Sequence, residues 1–457
     1  MSLLDHPTPI GAARPDAADA SLREIDGRTV AWFRVDGRRA DSSGAAEAQV
    51  VARALTLAGD LGCPVVGLVR SVAADVGPDG LDALVAWGSV AAAATRLSGV
   101  VPLLVALDGP VHGSLAMVVG LADHVVVTPR TTAYVNGPSA VRAVTGTTVT
   151  AEDLGGSEIH LSRSGVASLL ATDADDAVDA LSMLLGFLPD NYLADLPCSW
   201  NGDPVDRPSA IAAGVVPADP ARAYDVRDVV GDVIDRDTFE EVHAAHAPNV
   251  VTGYGRVGGR PVAVVANQPC HRAGTLDIDG SVKAARHVRS ADAFGLPILT
   301  FIDTPGYEPG RDLERRGMIR HGAKLVHAYA AATVPRIGIV LRKAYGGAYI
   351  AMDSRTMGND LTLAWPNAEI AVMGAPGAVA ILHRQAVADA DDPDAHRLEL
   401  EDAYRRDHCT PRRAAERGFV DEVIDPADTR PMVAAALRRL ATKRPTLSAR
   451  KHTNEPL

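Results

Sequence analysis

The chain has 457 residues, of which 47% are hydrophobic, and a formal net charge of −12. This length exceeds what one hydrophobic core usually supports and predicts two domains of roughly 200 residues each. The negative charge argues against nucleic acid as a bulk partner. Four widely separated cysteines form no CxxC pair, which argues against a disulfide framework or a metal site. No apolar run approaches the ~18 residues of a membrane span, and no signal peptide opens the chain, so we expect a soluble cytoplasmic protein.

Residues 1–23 are polar and rich in alanine and proline, and we expect them to be loose. The predicted N-terminal half, residues 24–247, begins with a β-hairpin at VAWFRVDGRR and a helix at AEAQVVARALTLAGDLG. A strand at 64–69, a second helix, and a strand at 102–106 follow, and the last strand leads into the turn GPVHGS. This alternation favours parallel strands joined by crossover helices.

An interdomain segment is predicted from about Leu196 to Asn249, where proline and aspartate are frequent. It contains one amphipathic helical pattern, VRDVVGDVIDRDTFEEV. The predicted C-terminal half, residues 248–457, repeats the scheme of the first. It contains a hairpin, a helix, a strand, a long helix and a further strand, at VVTGYGRVGGRPVAVVANQ, SVKAARHVRSADAFG, PILTFID, ERRGMIRHGAKLVHAYAAAT and PRIGIVL.

The two halves share a register. Three pairs of residues are separated by 233 positions, namely Pro64 and Pro297, Pro102 and Pro335, and Gly113 and Gly346. Three later pairs are separated by 237 positions, namely Asp123 and Asp360, Pro129 and Pro366, and Gly137 and Gly374. One small insertion accounts for the difference, and the pattern predicts a duplicated α/β unit.

Each half contains a buried strand that turns through glycine directly into a helix. The two segments are LDGPVHGSLAM at 107–117 and LRKAYGGAYIAM at 341–352. A turn of this kind presents unpaired backbone N–H groups at the positive end of a helix dipole. Two such turns at matching positions predict a site that stabilises two developing oxyanions.

The second half resembles the C-terminal half of the carboxyltransferase (β) subunit of biotin-dependent acyl-CoA carboxylases. The resemblance lies in VVTGYGRVGGRPVAVVANQP, DTPGYEPG, GMIRHGAKLVHAYAAATVP, RKAYGGAY, LAWPNAEIAVMGAPGAV, AAERGFVDEVIDP and KRPTLSARKHTNEPL. The first half resembles the family's N-terminal half more faintly, through LGCP, GPVHGS, VTGTTVTAEDLGGSEIHLSRSGVA and LLGFLP. The resemblance therefore covers nearly the whole chain.

The resemblance implies an α/β fold of two tandem crotonase-like domains, each a ββα superhelix. It implies a ring-shaped homohexamer, a trimer of dimers, with each active site between two subunits. Acyl-CoA would occupy the first half and carboxybiotin the second. The sequence shows neither an ATP-binding carboxylase nor a biotin-accepting Met-Lys-Met, so the biotin would be carried by a separate biotin carboxylase and carrier subunit.

By motif position, Gly346, Gly347 and Ala348 would form the oxyanion hole on the biotin side. Gly113 and Ser114 would form the one on the thioester side. Carboxyl transfer calls for both, because charge develops first on the ureido oxygen of biotin and then on an enolate oxygen. The alternative interpretation is that these glycines only permit close packing of strand and helix.

Four further residues are predicted to bind substrate, namely Ile350, Tyr349, Ser71 and His112. Ser114 stands where the family usually has a second glycine, and His112 comes just before the first glycine of the turn, Gly113. The family's SGGAR beside the acyl-CoA site reads SVAAD here, from Ser71 to Asp75. Family members that act on propionyl groups commonly have aspartate at the position of Ile350, whereas some acetyl-accepting members have isoleucine. The predicted acceptor is therefore atypical: an unusual acyl-CoA, a carrier-bound acyl group, or none.

We therefore predict a carboxyltransferase component that moves carboxylate from carboxybiotin to the α-carbon of an acyl thioester. Two alternatives remain: a decarboxylase or transcarboxylase component with the same chemistry, and a non-catalytic paralogue within a carboxylase assembly. Asp303, in FIDTPG, is predicted to cap its turn and not to catalyse.

Overall fold

The structure, a computed structural model, describes residues 18–36, 44–71, 80–445, 447 and 449–456. These residues fall into two units, 18–197 with 243–246, and 198–242 with 247–456. The segment 198–242, which the predicted boundary at residue 247 places in the first half, packs with the second unit. The described part of the chain contains no helix long and apolar enough to cross a membrane. Within the same ranges, no cluster of three or more His, Cys, Asp or Glu side chains could hold a metal ion.

The first unit is built on parallel strands that follow an antiparallel hairpin. Its strands are β1 Ala18–Ile25, β2 Arg28–Asp36, β3 Val65–Ser71, β4 Leu103–Leu107, β5 Pro110–His112, β6 His124–Val127, β7 Thr132–Tyr134 and β8 Leu169–Leu170. Its helices are α1 Gly44–Leu61, α2 Gly80–Leu97, α3 Ser114–Val119, α4 Pro138–Thr145, α5 Ala151–Gly155, α6 Ser157–Ile159 and α7 Ala174–Leu185, with a π-helical turn at His160–Ser164.

The main sheet of this unit has the strand order β1-β2-β3-β4-β6-β8 among the described residues, and β5 pairs with β7. Helix α1 packs on the sheet through an apolar stripe at helical spacing, which includes Val51, Leu55 and Ala58. β1 begins at Ala18, inside the segment predicted to be loose, because residues 18–25 pair antiparallel with 28–35 and bury Ala18 and Ala20. Residues 1–17 lie outside the described ranges.

The second unit repeats this plan. Its strands are β9 Glu240–Val242, β10 Val250–Val257, β11 Arg260–Asn267, β12 Ile298–Thr304, β13 Arg336–Tyr345, β14 Leu361–Ala364, β15 Glu369–Ala371 and β16 Glu422–Val423. Its helices are α8 Ala212–Val215, α9 Val226–Val233, α10 Ile278–Ala293, α11 Arg311–Arg315, α12 Met318–Ala331, α13 Gly346–Ala351, α14 Ala375–Leu382, α15 Arg384–Ala388, α16 Pro393–His408, α17 Pro411–Glu416 and α18 Thr429–Leu440.

The described strands of this unit have the order β16-β14-β13-β12-β11-β10-β9, and β15 pairs with β13. The hairpin β10–β11 is antiparallel, and β11 to β14 are parallel. β12 and β13 begin 233 residues after β3 and β4, so the sequence register of the duplication is also a structural register.

Two predicted helices are shorter in the structure than in the sequence pattern. The long helix at 314–333 is divided by Gly317, whose φ of 95° ends α11 before α12 begins. The interdomain helix predicted at 226–242 stops at Val233, because Ile234 is extended and residues 240–242 pair with β10 as β9. In both places a local backbone feature overrides an apolar periodicity.

Buried His287 on α10 gives the second unit a predictable response to acid. Its Nε2 donates to the carbonyl of Gly253 at 3.0 Å, and burial lowers its pKa to about 4. Between pH 6.5 and 4 the unfolded chain therefore binds more protons than the folded one, so stability falls as pH falls through this window. We expect a loss of about 3 kcal/mol in the unfolding free energy across the window.

The measurement is denaturant unfolding at a series of pH values, with His287→Gln as the comparison. Glutamine retains an N–H donor for Gly253 and does not titrate. The variant should show a flatter stability profile between pH 6.5 and 4. Parallel profiles for the two proteins would contradict the assignment.

Candidate active site

The second unit's glycine turn joins β13 to α13. The last three residues of β13 pair with β15, from Lys343 with Glu369 to Tyr345 with Ala371, while Ala344 also pairs with Thr304 of β12. Gly346 follows with a φ of 58°, and a Cβ there would lie 3.1 Å from the carbonyl oxygen of Val372. Glycine is therefore needed at this turn. The amides of residues 346–348 open α13 and have no acceptor within the helix.

A cavity of about 490 Å³ lies beside this turn. Four of the predicted site residues line it, namely Gly346, Gly347, Tyr349 and Ile350. The rest of its wall comes from β15, α16 and α17 and their flanks, at Ile370, Ala371, Val372, Tyr404, His408, Arg413, Ala414, Arg417 and Phe419. Ala348 is fully buried and does not line the cavity, so the role of its amide stays a prediction.

Neutral phenols and guanidinium groups surround the cavity. Burial raises the pKa of Tyr349 to about 12, and the Tyr349 hydroxyl donates to the carbonyl of Phe419 at 3.5 Å. Burial likewise raises the pKa of Tyr307 to about 12, and its ring would meet a Cβ on Gly347 at 3.6 Å. Arg413 and Arg417 add positive charge to the wall. The cavity therefore suits a ligand that is largely apolar and develops negative charge at the turn.

No role was predicted for the part of the cavity wall that α16 and α17 form. Tyr404, His408 and Arg413 lie on these helices, which follow the glycine turn by more than 40 residues. The motif AAERGFVDEVIDP was visible as family resemblance, but nothing in its spacing indicated that it folds back to the turn. The pairing of β14 with β16, together with the bond from the Ile370 amide to the Cys409 carbonyl at 2.8 Å, brings this stretch beside the second unit's sheet.

The first unit's turn is built differently in one respect. Gly113 has a φ of 63°, and its amide donates to the carbonyl of Tyr134 at 3.1 Å. That amide is already engaged, so the structure does not support Gly113 as an oxyanion donor, and its part is to make the turn. The amide of Ser114 opens α3 and has no acceptor within that helix. Ser114 is therefore the remaining predicted oxyanion donor on the thioester side.

His112 lies at the same turn, where it presents an uncharged aromatic ring. Its ring stacks on Tyr134 with centroids 4.4 Å apart and planes 10° apart, and burial lowers its pKa. The predicted substrate contact at Ser71 falls at the end of β3, where only its backbone is described. Residues 72–75 of the SVAAD segment lie outside the described ranges, so the prediction for this segment stays open.

Asp303 does not cap its turn. Its fully buried carboxylate accepts hydrogen bonds from Arg342 Nε at 3.0 Å and from the Lys343 amide at 3.1 Å, both on the neighbouring strand. The capping role falls to Thr304, whose Oγ1 accepts from the Gly306 amide at 3.3 Å. The buried carboxylate of Asp303 pairs with the charged side chain of Arg342, and the sequence pattern did not indicate this partner.

Comparison with known proteins agrees with this architecture. The family described as carboxyl transferase domain matches residues 20–455. The chain is 44% identical over 465 residues to the propionyl-CoA carboxylase beta chain of Saccharopolyspora erythraea, covering 96% of this chain and 85% of that protein. It is 39% identical over 435 residues to the methylmalonyl-CoA decarboxylase subunit alpha of Propionigenium modestum, covering 95% and 84%.

A solved structure extends the comparison to the fold. The crystal structure of transcarboxylase 12S, a hexamer with methylmalonyl-coenzyme A and methylmalonic acid bound, matches with a TM-score of 0.92 at 40% identity. The match covers 98% of this chain and 86% of that chain. The predicted fold class, an α/β fold of the crotonase-like carboxyltransferase type, is confirmed.

The fold and the matches together define an acyl-thioester carboxyltransferase. The chain belongs to the carboxyl transferase domain family and is a carboxyltransferase subunit of the biotin-dependent acyl-CoA carboxylase type. The predicted family and enzyme class are therefore confirmed.

Proposed function

We propose that this chain, as a homohexamer, transfers a carboxyl group from carboxybiotin on a separate carrier subunit to the α-carbon of an acyl thioester. The observation that carries the proposal is the cavity at the β13–α13 turn, where Gly346, Gly347, Tyr349 and Ile350 meet. Carboxybiotin supplies the carboxyl group, and negative charge develops on its ureido oxygen as that group leaves. A biotin-dependent reaction with a CoA thioester is supported by the name of one relative, the biotin-dependent acetyl-/propionyl-coenzyme A carboxylase beta5 subunit of Mycobacterium tuberculosis.

The chain's own contribution is to hold that charge. The amides of Gly347 and Ala348 open α13, and Gly347 lines the cavity; both amides are proposed to donate to the ureido oxygen. The amide of Ser114 donates to the thioester oxygen when the α-proton is removed. Gly346 and Gly113 set the two turns through their positive φ values. Tyr349 and Phe419 exclude water from the biotin-side cavity.

Ile350 is proposed to select the acyl group. It is 47% exposed and lines the cavity, where it offers an apolar surface in place of a carboxylate. Of the two CoA thioesters acetyl-CoA and propionyl-CoA, we expect acetyl-CoA to be the better acceptor, with malonyl-CoA as the product. Ile350→Asp should shift the ratio of kcat/KM for propionyl-CoA over acetyl-CoA by about tenfold towards propionyl-CoA.

The measurement is kcat/KM for the two acceptors at a saturating concentration of carboxylated carrier. Ile350→Val is the matched control, because it keeps the apolar surface and removes one methylene. A ratio that is unchanged in Ile350→Asp would remove Ile350 from the acyl pocket.

The experiment that tests the function uses the purified chain with its biotinylated partner, ATP and labelled bicarbonate. Acetyl-CoA, propionyl-CoA, longer acyl-CoA and carrier-bound acyl groups serve as acceptors. Label on the α-carbon of one thioester supports the proposal. Absence of label from every thioester would overturn it.

The second candidate is a decarboxylase or transcarboxylase component. It is favoured by the decarboxylase and transcarboxylase relatives, which share the fold and the sequence over nearly the whole chain. The same turns would act in the reverse direction. Release of CO₂ from methylmalonyl-CoA, dependent on the biotinylated partner and without forward labelling, selects this candidate. A stable complex with the partner and neither reaction selects the non-catalytic paralogue.

A further inference from the structure

We infer that each glycine turn is positioned by an ion pair at the strand ends beneath it, and that the two halves use pairs of opposite polarity. The pairs are Asp303–Arg342 in the second unit and Arg70–Asp108 in the first. The inference rests on the proposed function, because it assigns these four residues a positioning role in carboxyl transfer.

In the second unit, Asp303 fixes the approach to the turn. It is the next-to-last residue of β12, and its carboxylate accepts from Arg342 Nε at 3.0 Å and from the Lys343 amide at 3.1 Å. Arg342 and Lys343 precede Gly346 by four and three residues. One fully buried carboxylate therefore holds two consecutive residues of the strand that carries the turn.

Arg342 extends the link to a third segment. Its Nη1 donates to the carbonyls of Arg222 at 2.8 Å and Asp219 at 3.3 Å. Its guanidinium carbon lies 5.0 Å from the centroid of the Tyr224 ring. The neighbouring Lys343 Nζ donates to the carbonyl of Pro220. The segment 219–224 is thereby fastened to the end of β13.

This fastening falls where the sheet ladder is irregular. The pairing of β12 with β13 shifts register between Ile302 and Thr304. Beyond that point β13 keeps one pair with β12, Thr304 with Ala344, and takes β15 as its partner on the other edge, from Lys343 to Tyr345. Asp303 lies at the shift itself, where the ladder between β12 and β13 is interrupted. Its side-chain bonds to Arg342 and Lys343 therefore add a constraint at the interruption, just before the turn.

The first unit has the corresponding link with the charges exchanged. Arg70 is the next-to-last residue of β3 and lies 233 residues before Asp303, the register of the duplication, whereas Asp108 lies 234 residues before Arg342, one position outside it. Arg70 Nε lies 3.4 Å from Oδ2 of Asp108, which follows β4 and is buried, and this contact is an ion pair without a hydrogen bond. Oδ1 of Asp108 accepts from Thr128 Oγ1 at 2.9 Å, and Arg130 Nη1 lies 3.7 Å from Oδ2. Here the cation is on the preceding strand, β3, and the carboxylate is on the chain that leads to Gly113.

The exchange of polarity indicates what the pair does. If the electric field of one charge were needed at the turn, the residue that precedes the turn would carry the same sign of charge in both halves. The sign differs and the cross-strand link remains, so the shared property is the mechanical constraint. A misplacement of about 1 Å at an oxyanion donor can cost about 10²-fold in rate.

The first test is Arg342→Met, which keeps side-chain bulk and removes the link. We expect kcat for carboxyl transfer to fall by about 10²-fold, with KM for the acyl-CoA within about twofold of wild type. Arg342→Lys restores the charge without the second carbonyl bond and should recover part of kcat. If Arg342→Met does not fold, Arg342→Lys decides: a kcat at least about threefold below wild type at unchanged KM supports the role, and a wild-type kcat overturns it.

Arg207→Met is the matched control for a purely structural effect. Arg207 is a guanidinium of the same unit, paired with Asp203 at 2.8 Å and donating to the carbonyl of Ile234 at 3.2 Å. It should lose thermal stability and keep a wild-type kcat. If Arg342→Met and Arg207→Met behave alike in kcat, the positioning role is overturned.

The second test is Asp108→Asn, alone and combined with Arg342→Met. Asparagine still accepts from Thr128 and loses the ion pair. We expect a drop in kcat of about tenfold, which multiplies with that of Arg342→Met because the two links hold different turns. A wild-type kcat in Asp108→Asn would overturn the first unit's link. An inactive wild-type protein would instead contradict the proposed function, which keeps the two failures distinct.

Discussion

Replacing Gly347 by proline is expected to lower kcat for carboxyl transfer by at least about 10²–10³-fold. Proline removes the amide that is proposed to meet the ureido oxygen, while the second position of a helix tolerates its ring because no intrahelical bond is lost there. Gly347 is not held at a positive φ, unlike Gly346. The hexamer should therefore remain intact.

Gly347→Ala is the control that separates the lost donor from the added bulk. Its new Cβ would lie 3.6 Å from the Tyr307 ring, which is an ordinary contact. We expect this variant to keep the amide and most of the activity. The measurement is single-turnover transfer from carboxylated carrier to acyl-CoA, with the oligomeric mass measured in parallel. Equal rates for the proline and alanine variants would exclude the amide of Gly347 as the donor.

Breaking the buried pair of Arg430 and Asp235 is expected to have the largest effect on stability. Arg430, on α18, is fully buried and donates to Asp235 Oδ1 at 2.7 Å and to the carbonyls of Val233 and Pro204. Asp235 also accepts from the amides of Gly258 at 2.9 Å and Gly259 at 2.7 Å. Asp235→Asn removes the nearer of the two carboxylates that face the buried guanidinium, since Asp203 Oδ2 remains 3.4 Å from Arg430 Nη2, and we expect it to cost about 3 kcal/mol.

This loss in the free energy of unfolding is measured by denaturant unfolding, followed through the transition of the second unit. Arg412→Ala is the control, because its pair with Glu416 is exposed and contributes less than about 1 kcal/mol. The pair joins the C-terminal helix to residues 203–235, so its loss should also release α18 to proteolysis before the sheet unfolds. If Asp235→Asn lowers the free energy of unfolding by less than about 1 kcal/mol, this pair does not stabilise the second unit to the expected extent.

The main features of the fold could be predicted because the chain is duplicated and locally consistent. The buried strand at 64–69 and its counterpart at 297–303 were visible as apolar runs between helical patterns, and both are strands. The glycine turns were visible for a similar reason, since a positive φ at Gly113 and Gly346 demands glycine. These features depend on neighbouring residues in sequence.

Features that depend on distant residues could not be predicted. The wall formed by Tyr404, His408 and Arg413 reaches the glycine turn only through the tertiary fold. The engagement of the Gly113 amide depends on the pairing of β5 with β7, two strands of three residues each without a strong sequence pattern. The partner of Asp303 was hidden for the same reason, because a buried carboxylate is paired by the neighbouring strand and not by its own turn.

The measurement that most directly tests the account is a crystal structure of the protein with biotin bound. The ureido oxygen should lie in the cavity at the β13–α13 turn, about 3 Å from the amide nitrogens of Gly347 and Ala348. Biotin bound elsewhere on the chain, or in this cavity with its ureido oxygen turned away from both amides, would contradict the account.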